Sequence, residues 1–494
     1  MNFRFMNQSV ETRRNMILNG SISKTLVFLA MPSLMMGLVQ SMMPLSDGLF
    51  INNVAGPYVA SAVTYSQPIV NMIVALSQGL GAAGMAVIGQ LNGRGEFERG
   101  RTVASQLVLL SFAMGILSIP IMTLIALPVS AFVTQEISKY VWLYLTLNAF
   151  ALPFNFMEAV YNAVKNANGK PEATFPPMLL LLLLKIFFNY LLIYQYNLGI
   201  VGCALSSLFA NVLVCLWMFY DLFLHKSEEQ LAWPGLRFDR DITATLLRIG
   251  LPTMLSNVML NLGFYLINNE VQKYGAIVLN GQGIANNITT ICFAMTGAFG
   301  PTVTTMVSMN VGASHGERAK KTMWIGCGLS VLTAVILIAL TVPFVEPLTR
   351  LFTRDQNVLA IATSSLRIYI YAVIGYAVCI VQQGAFIGLG RTKIPLFISV
   401  LRIWFLRYLF ILATEQYLGV YSVFWGQLFS NMAAAVIITA MILRVQWVSV
   451  IDSGPPISTP AKPVEAGSEP LALPMEEQPV HAGATSAEES TPET

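Results

Sequence analysis

Charge is what this chain has least of: Asp, Glu, Lys and Arg together make up 11% of its 494 residues, against about 25% in ordinary soluble domains. That shortage excludes a soluble globular protein of this length. Histidine is rarer still. His225, His315 and His481 are the three present, and they fall in a polar linker, a loop and the terminal tail, so neither a zinc cluster nor a Ser/His/Asp constellation can be assembled and no enzyme is expected. The five cysteines, Cys203, Cys215, Cys292, Cys327 and Cys379, sit inside apolar runs with no CxxC spacing. That excludes a disulfide framework or a thiolate metal site and leaves them as small core residues.

What the chain has in abundance is apolar length. Hydrophobic residues make up 55% and the mean hydropathy is +0.64, so lipid is the solvent for most of it. Runs long enough to cross about 30 Å of hydrocarbon fall near 25–51, 59–90, 102–127, 139–164, 175–195, 199–224, 243–270, 276–310, 321–343, 358–388, 394–414 and 418–447, twelve in all. No small-residue cleavage site follows the first, which is therefore expected to be a retained span and not a signal peptide.

The basic residues orient these spans. Twenty, from Arg4, Arg13 and Arg14 through Arg94, Lys165, Lys226, Arg318 and Arg391 to Lys462, fall on one side, and only Lys139, Lys273, Arg350 and Arg354 on the other. Both termini are then expected in the cytoplasm. The acidic residues are segregated too: Asp452–Thr494 holds eight acids, one base and eight prolines, leaving a body of formal charge +10. With no apolar periodicity, that tail is expected to be disordered.

The sequence also repeats. Leu29-Ala30-Met31-Pro32 matches Ile249-Gly250-Leu251-Pro252, expected as similar turns, Glu98-Arg99 matches Glu317-Arg318 at an offset of 219, and Leu208-Phe209-Ala210-Asn211 matches Leu428-Phe429-Ser430-Asn431 at 220. Two halves of six spans follow. Six is even, so both halves enter the membrane with the same orientation and the pseudo-twofold axis lies along the membrane normal. A duplicated bundle of this kind encloses a cleft that rocking opens to either side in turn, which favours a transporter over a channel or scaffold.

An ionisable side chain inside a span costs about 2.5–3.5 kcal/mol on insertion scales, so each is a functional candidate. Asp47, Glu158, Lys185, Arg402 and Arg407 are the central ones. Asp47 follows Pro44, whose missing N–H frees the carbonyl of Gln40, and stands either in a cation site or in a helix end reached by water. Lys185 follows the apolar run Leu179–Leu184 and shares a helix face with Asn189. Glu158 either enters a cavity or pairs with Lys165 or another cation of the loop. Amides such as Gln40, Asn71, Gln78, Asn261, Gln282 and Gln382 either bridge helices or, with Met and aromatic side chains, line an adaptable cavity.

Three segments carry a family resemblance: Pro44-Leu45-Ser46-Asp47-Gly48-Leu49-Phe50, the stretch from Asn189 to Ser207 ending in GxxGxAxxS, and Gly388-Leu389-Gly390-Arg391-Thr392. In this order within a twelve-span duplication they resemble the multidrug and toxic compound extrusion (MATE) family over about residues 20–447. The resemblance implies export of amphipathic organic cations, driven by inward proton or sodium flow. It also implies a coupling site at Asp47, Lys185, Asn189 and Ser207, in which Lys185 replaces an asparagine and Asn189 an acid. Carboxylates that some members carry on spans 7 and 10 are replaced near Asn261 and Ala377. An ammonium beside Asp47 supplies the positive charge that sodium would bring, so a proton gradient is the expected drive and no cofactor is needed.

The expected fold is therefore an all-α polytopic membrane protein with twelve transmembrane helices in two six-helix lobes. Its parts are an N-terminal segment (1–24), a first lobe (25–224), a linker (225–241), a second lobe (242–451) and the tail (452–494). A monomeric proton-coupled antiporter in a bacterial inner membrane is expected, with a small cationic substrate and the bilayer as partners and no nucleic acid. The alternatives are a sodium-coupled exporter of the same family and a lipid-linked precursor flippase using Arg402 and Arg407.

Overall fold

A computed structural model of the chain describes residues 8–50, 57–131, 135–226, 229–231, 238–352 and 355–448. The expected tail, 452–494, lies outside the described residues. A short helix α1 (Val10–Asn19) precedes α2 (Ile22–Phe50), α3 (Pro57–Arg94), α4 (Phe97–Ala131), α5 (Gln135–Ala149), α6 (Leu152–Ala167), α7 (Phe175–Asn189) and α8 (Gly199–Phe219). The second half contains α9 (Arg240–Gln272), α10 (Ala276–Gly297), α11 (Phe299–Gly312), α12 (Gly316–Thr341), α13 (Val345–Arg350), α14 (Gln356–Tyr369), α15 (Ala372–Gly388), α16 (Lys393–Val400), α17 (Leu409–Leu418) and α18 (Tyr421–Ile442).

Lipid leaves helices as the economical way to satisfy the backbone of apolar runs this long. Among the described residues, ten helical segments are long and apolar enough to cross a membrane, and the pair α14–α15, bent by 47°, makes an eleventh when counted as one span. The expected fourth span is divided at Phe150 and Ala151 into α5 and α6, of 15 and 16 residues, each too short to cross alone. Pro68, Pro120, Pro128 and Pro252 are all accommodated inside helices. The segments around Pro32 and Pro252, expected as turns, are instead interior to α2 and α9, because packed neighbours let a membrane helix absorb a proline that would end a soluble one.

The duplication is written in the backbone as well as in the residues. Left-handed residues recur at the repeat offset: Gly95 (φ 84°) with Ser314 (63°), Gly169 (72°) with Gly390 (75°), and Gly199 (53°) with Gly419 (55°). At the first two pairs the helix end is closed by the same double hydrogen bond. Glu96 N–H donates to Leu91 and Gly95 N–H to Asn92, as His315 donates to Asn310 and Ser314 to Val311. The breaks between α5 and α6 and between α14 and α15 also correspond.

The halves lock together at the end carrying most of the basic residues. A Cβ on Gly93 would meet the Met309 carbonyl at 2.1 Å, and one on Gly312 would meet the Gln90 carbonyl at 2.0 Å, so two repeat-related glycines each admit the other half's backbone. Gln90 Nε2 donates to the Gly388 carbonyl at 2.8 Å across the same seam. The N-terminal segment straps this end: Ser9 caps α1, Ile17 packs with Val303, Met306 and Val307 of the second half, and Arg318 donates to the Ile17 carbonyl.

Candidate functional site

Asp47 stands in the last turn of α2, and α7 lies against that helix. Lys185 and Asn189, one turn apart on α7, therefore reach the same carboxylate: Lys185 Nζ is 2.6 Å from Asp47 Oδ2, and Asn189 Nδ2 donates to Oδ1 at 2.9 Å. The pair is sheltered, with side-chain exposures of 16% for Lys185 and 21% for Asp47, so desolvation makes each charge depend on the other. Asn189 is fully buried where α7 passes into a π-helical turn, Tyr190–Gln195.

The fourth expected member is displaced by one residue. Ser206, not Ser207, places its hydroxyl against Asn189 Oδ1, while Ser207 offers only its carbonyl, to Asn211. Two adjacent serines point about 100° apart on a helix, and the sequence alone did not say which faces α7. The resulting chain of polar contacts runs Lys185–Asp47–Asn189–Ser206.

Between the halves lies a cavity of about 510 Å³, lined from the first half by Gln40, Gln78 and Glu158 and from the second by Phe293, Tyr376 and Ile380, among others. Lys165, the cation that sequence proximity offers Glu158, is taken by Asp221 at 2.8 Å and Glu229 at 3.3 Å. Glu158 is left without an ion-pair partner among the described residues. A carboxylate opposite aromatic faces can hold an organic cation.

The other expected cavity amides lie elsewhere. Gln382 exchanges hydrogen bonds with Thr439 in the second half, Gln282 donates to the Tyr369 hydroxyl, and Asn261 donates to the Asn257 carbonyl. Asn71 is exposed and accepts from Gln67. Gln382 and Gln282 brace helices, the ordinary use of an amide in a membrane, Asn261 and Asn71 bond within their own helices, and none of the four lines this cavity.

Arg402 and Arg407 are buried within the second half, on a π-helical stretch (Leu401–Tyr408) between α16 and α17. Neither lines the central cavity. Arg402 donates to Asn431 Oδ1 at 3.3 Å and lies 5.6 Å from the Tyr376 ring centroid, and Arg407 lies 6.0 Å from that of Phe264.

Sequence reasoning missed the basic-end network. Glu229, in the linker between the halves, is buried, contacts Lys165 and Lys170, and accepts from Asn168. Burial alone would raise its carboxyl, but the two ammonium groups and the hydrogen bonds hold it below the ordinary glutamate value. Nearby, Arg13 of α1 is fully buried and paired with Glu172, and desolvation lowers its guanidinium from the usual value. The signal available in sequence was the acidic pair Glu228-Glu229 close after Lys226 in the linker.

A family model, MatE, matches this chain twice, over residues 32–191 and 252–412, the second match displaced by the repeat offset. The chain belongs to the MatE family. Its relatives in that family include the probable multidrug resistance protein YoeA of Bacillus subtilis, 22% identical over 78% of this chain and 85% of that one. The probable multidrug resistance protein NorM of Thermotoga maritima is 24% identical over 78% and 84%. Among solved structures, the outward-facing conformation of a multidrug resistance MATE family transporter of the MOP superfamily superposes with a TM-score of 0.81. It shares 22% identity and covers 86% of this chain and 98% of that one. The fold is that of the MATE transporters, twelve helices in two lobes, and this is a multi-pass membrane protein of a transporter family.

Proposed function

We propose that this protein exports amphipathic organic cations by alternating access, driven by inward protons. The observation that carries the reading is the 2.6 Å contact between Lys185 Nζ and Asp47. With an ammonium already at the carboxylate, a sodium ion would add a second positive charge to a satisfied site. A proton instead competes with the ammonium for the same oxygen. A carboxylate parted from Lys185 in apolar surroundings is neutralised most cheaply by a proton, and re-forming the pair expels it. Cycling between these arrangements couples proton entry to lobe motion.

The substrate sits in the central cavity, with Glu158 as its counter-charge, Gln40 and Gln78 as polar contacts, and Phe293 and Tyr376 as aromatic walls. Both termini, the linker at 225–241 and the locked seam face the cytoplasm of a bacterial cell, and the two six-helix halves, 25–224 and 242–451, rock in a monomer. Exchange of one proton for one monovalent cation moves no net charge, so each pH unit supports about a tenfold substrate gradient.

Purified protein in proteoliposomes, given a panel of cationic dyes, tests this. An imposed pH gradient drives dye movement while a sodium gradient does not. Strict sodium dependence, or dye movement indifferent to both gradients, overturns the reading.

A further inference from the structure

The interior of the second half carries two positive charges with no negative one beside them. Arg402 and Arg407 are 7% and 4% exposed, and the Nε of each is buried without a hydrogen-bond partner. Among the described residues neither enters an ion pair, whereas Lys185, in the corresponding span of the first half, has Asp47. Three acids of the second half are committed near helix ends: Glu270 to Lys273 and Tyr408, Glu346 to Arg350, Glu415 to Tyr274. What surrounds the guanidiniums is neutral and amphipathic: Asn431 Oδ1 and the face of Tyr376 beside Arg402, and the Tyr369 hydroxyl and the face of Phe264 beside Arg407.

A buried guanidinium is expensive in a membrane interior unless an anion or water accompanies it. The π-helical stretch from Leu401 to Tyr408 places two within five residues, both inside the lobe. Guanidinium is the group that meets oxyanions through paired N–H donors. Tyr376 connects this pair to the substrate path, since it lines the central cavity, packs on Phe293 at 4.5 Å between ring centroids and carries Arg402 against its ring.

We propose that Arg402 and Arg407 form a binding site for an oxyanion, a carboxylate or phosphate group, inside the second lobe and reached past Tyr376. The site is separate from the Asp47–Lys185 coupling pair and does not depend on how transport is driven. The oxyanion arrives on a soluble amphipathic anion or on the head group of a lipid.

The test uses the full chain in a zwitterionic detergent at constant ionic strength, followed by thermal unfolding. Hexanoate probes the soluble source, dihexanoyl phosphatidic acid the lipid source, and hexylammonium and dihexanoyl phosphatidylcholine serve as charge controls. Expected is a saturable rise in unfolding temperature with one or both anions and with neither control. Hexanoate acting alone names a soluble anion, and phosphatidic acid acting alone names a lipid.

Arg402→Gln combined with Arg407→Gln weakens anion binding by about tenfold or more. Without any anion it unfolds at the same or a higher temperature, because a burdened charge has been removed; a purely structural arginine pair would instead leave the variant less stable. Should that variant not fold, Arg402→Lys, which keeps the charge and loses the paired donors, still lowers the affinity. No saturable shift with either anion, equal shifts with the controls, or an anion shift unchanged in the variants overturns the proposal.

Discussion

The interiors of the two halves share a backbone plan and differ in charge. In the first, Asp47, Lys185 and Asn189 close a neutral cluster and Glu158 faces the cavity; in the second, Arg402 and Arg407 stand without a carboxylate beside Tyr376 and Asn431. Duplication has preserved what sterics demand, the left-handed turns and the paired glycines of the seam, while leaving the buried ionisable residues free to diverge. Symmetry of fold therefore predicts nothing about symmetry of chemistry here. The proposed coupling pair and substrate counter-charge thus fall in one lobe, and the proposed oxyanion site in the other.

Breaking the first lobe's pair has the largest expected effect. Asp47→Asn reduces pH-driven dye export in proteoliposomes to the level of empty vesicles, whereas Arg402→Gln in the same assay keeps the response to pH. Next, Lys185→Asn strands a carboxylate that had a buried partner, and such losses are typically several kcal/mol. Export falls about tenfold in sodium-free buffer and recovers in part as sodium is added. Loss of activity without any sodium response would mean that Lys185 is not standing where a cation would.

Glu158→Gln tests the cavity and not the coupling. A lone charge contact at a partly solvated site is worth about 1–4 kcal/mol, so the apparent KM for a cationic dye rises about tenfold while that for a neutral dye of similar size is unchanged. Equal effects on both dyes would remove Glu158 from cation recognition.

The seam offers a milder comparison. A Cβ on Gly93 or Gly312 meets backbone of the opposite half, whereas one on Gly328 meets nothing within 4 Å. Gly93→Ala and Gly312→Ala are expected to cost about 1–3 kcal/mol each, and Gly328→Ala, inside a helix with room for the methyl, to be neutral or stabilising by up to about 1 kcal/mol, measured by thermal unfolding.

The smallest effect concerns pH. Glu229 is held below its ordinary value when folded, so its contribution to stability is fully present above the unfolded glutamate value, about pH 4.3. It is lost as pH falls through the lowered folded value. Glu229→Gln removes that part of the acid-side decline in unfolding temperature and leaves the neutral-pH profile otherwise similar in shape.

Spans and duplication were legible in the sequence because hydropathy and a fixed offset act over tens of residues. That Lys185 and Asn189 share a face of α7 was legible from their spacing, and their meeting with Asp47 from the family resemblance. Choosing between Ser206 and Ser207 was not, because a single step around a helix changes the neighbour and leaves composition untouched. The fate of Gln382, Gln282, Asn261 and Asn71 was equally hidden: an amide that braces helices, one that bonds within its own helix and one that lines a cavity have the same local sequence. The basic-end network escaped because its members, Arg13, Glu172, Lys165 and Glu229, lie far apart along the chain and meet only after the helices have packed.

The strap made by α1 has a consequence for how the protein is made. Ile17 leaves the ribosome early, yet the guanidinium it receives belongs to Arg318, 301 residues later. At about 5–20 residues per second, the first helix waits some 15–60 s before the second-half part of its seat exists, although Glu172, the partner of Arg13, is made earlier. Docking of α1 is thus a late event of biogenesis, completed after the eighth span is in place, and a bulky fusion at the amino terminus would meet the growing chain at the step where the two halves are first joined.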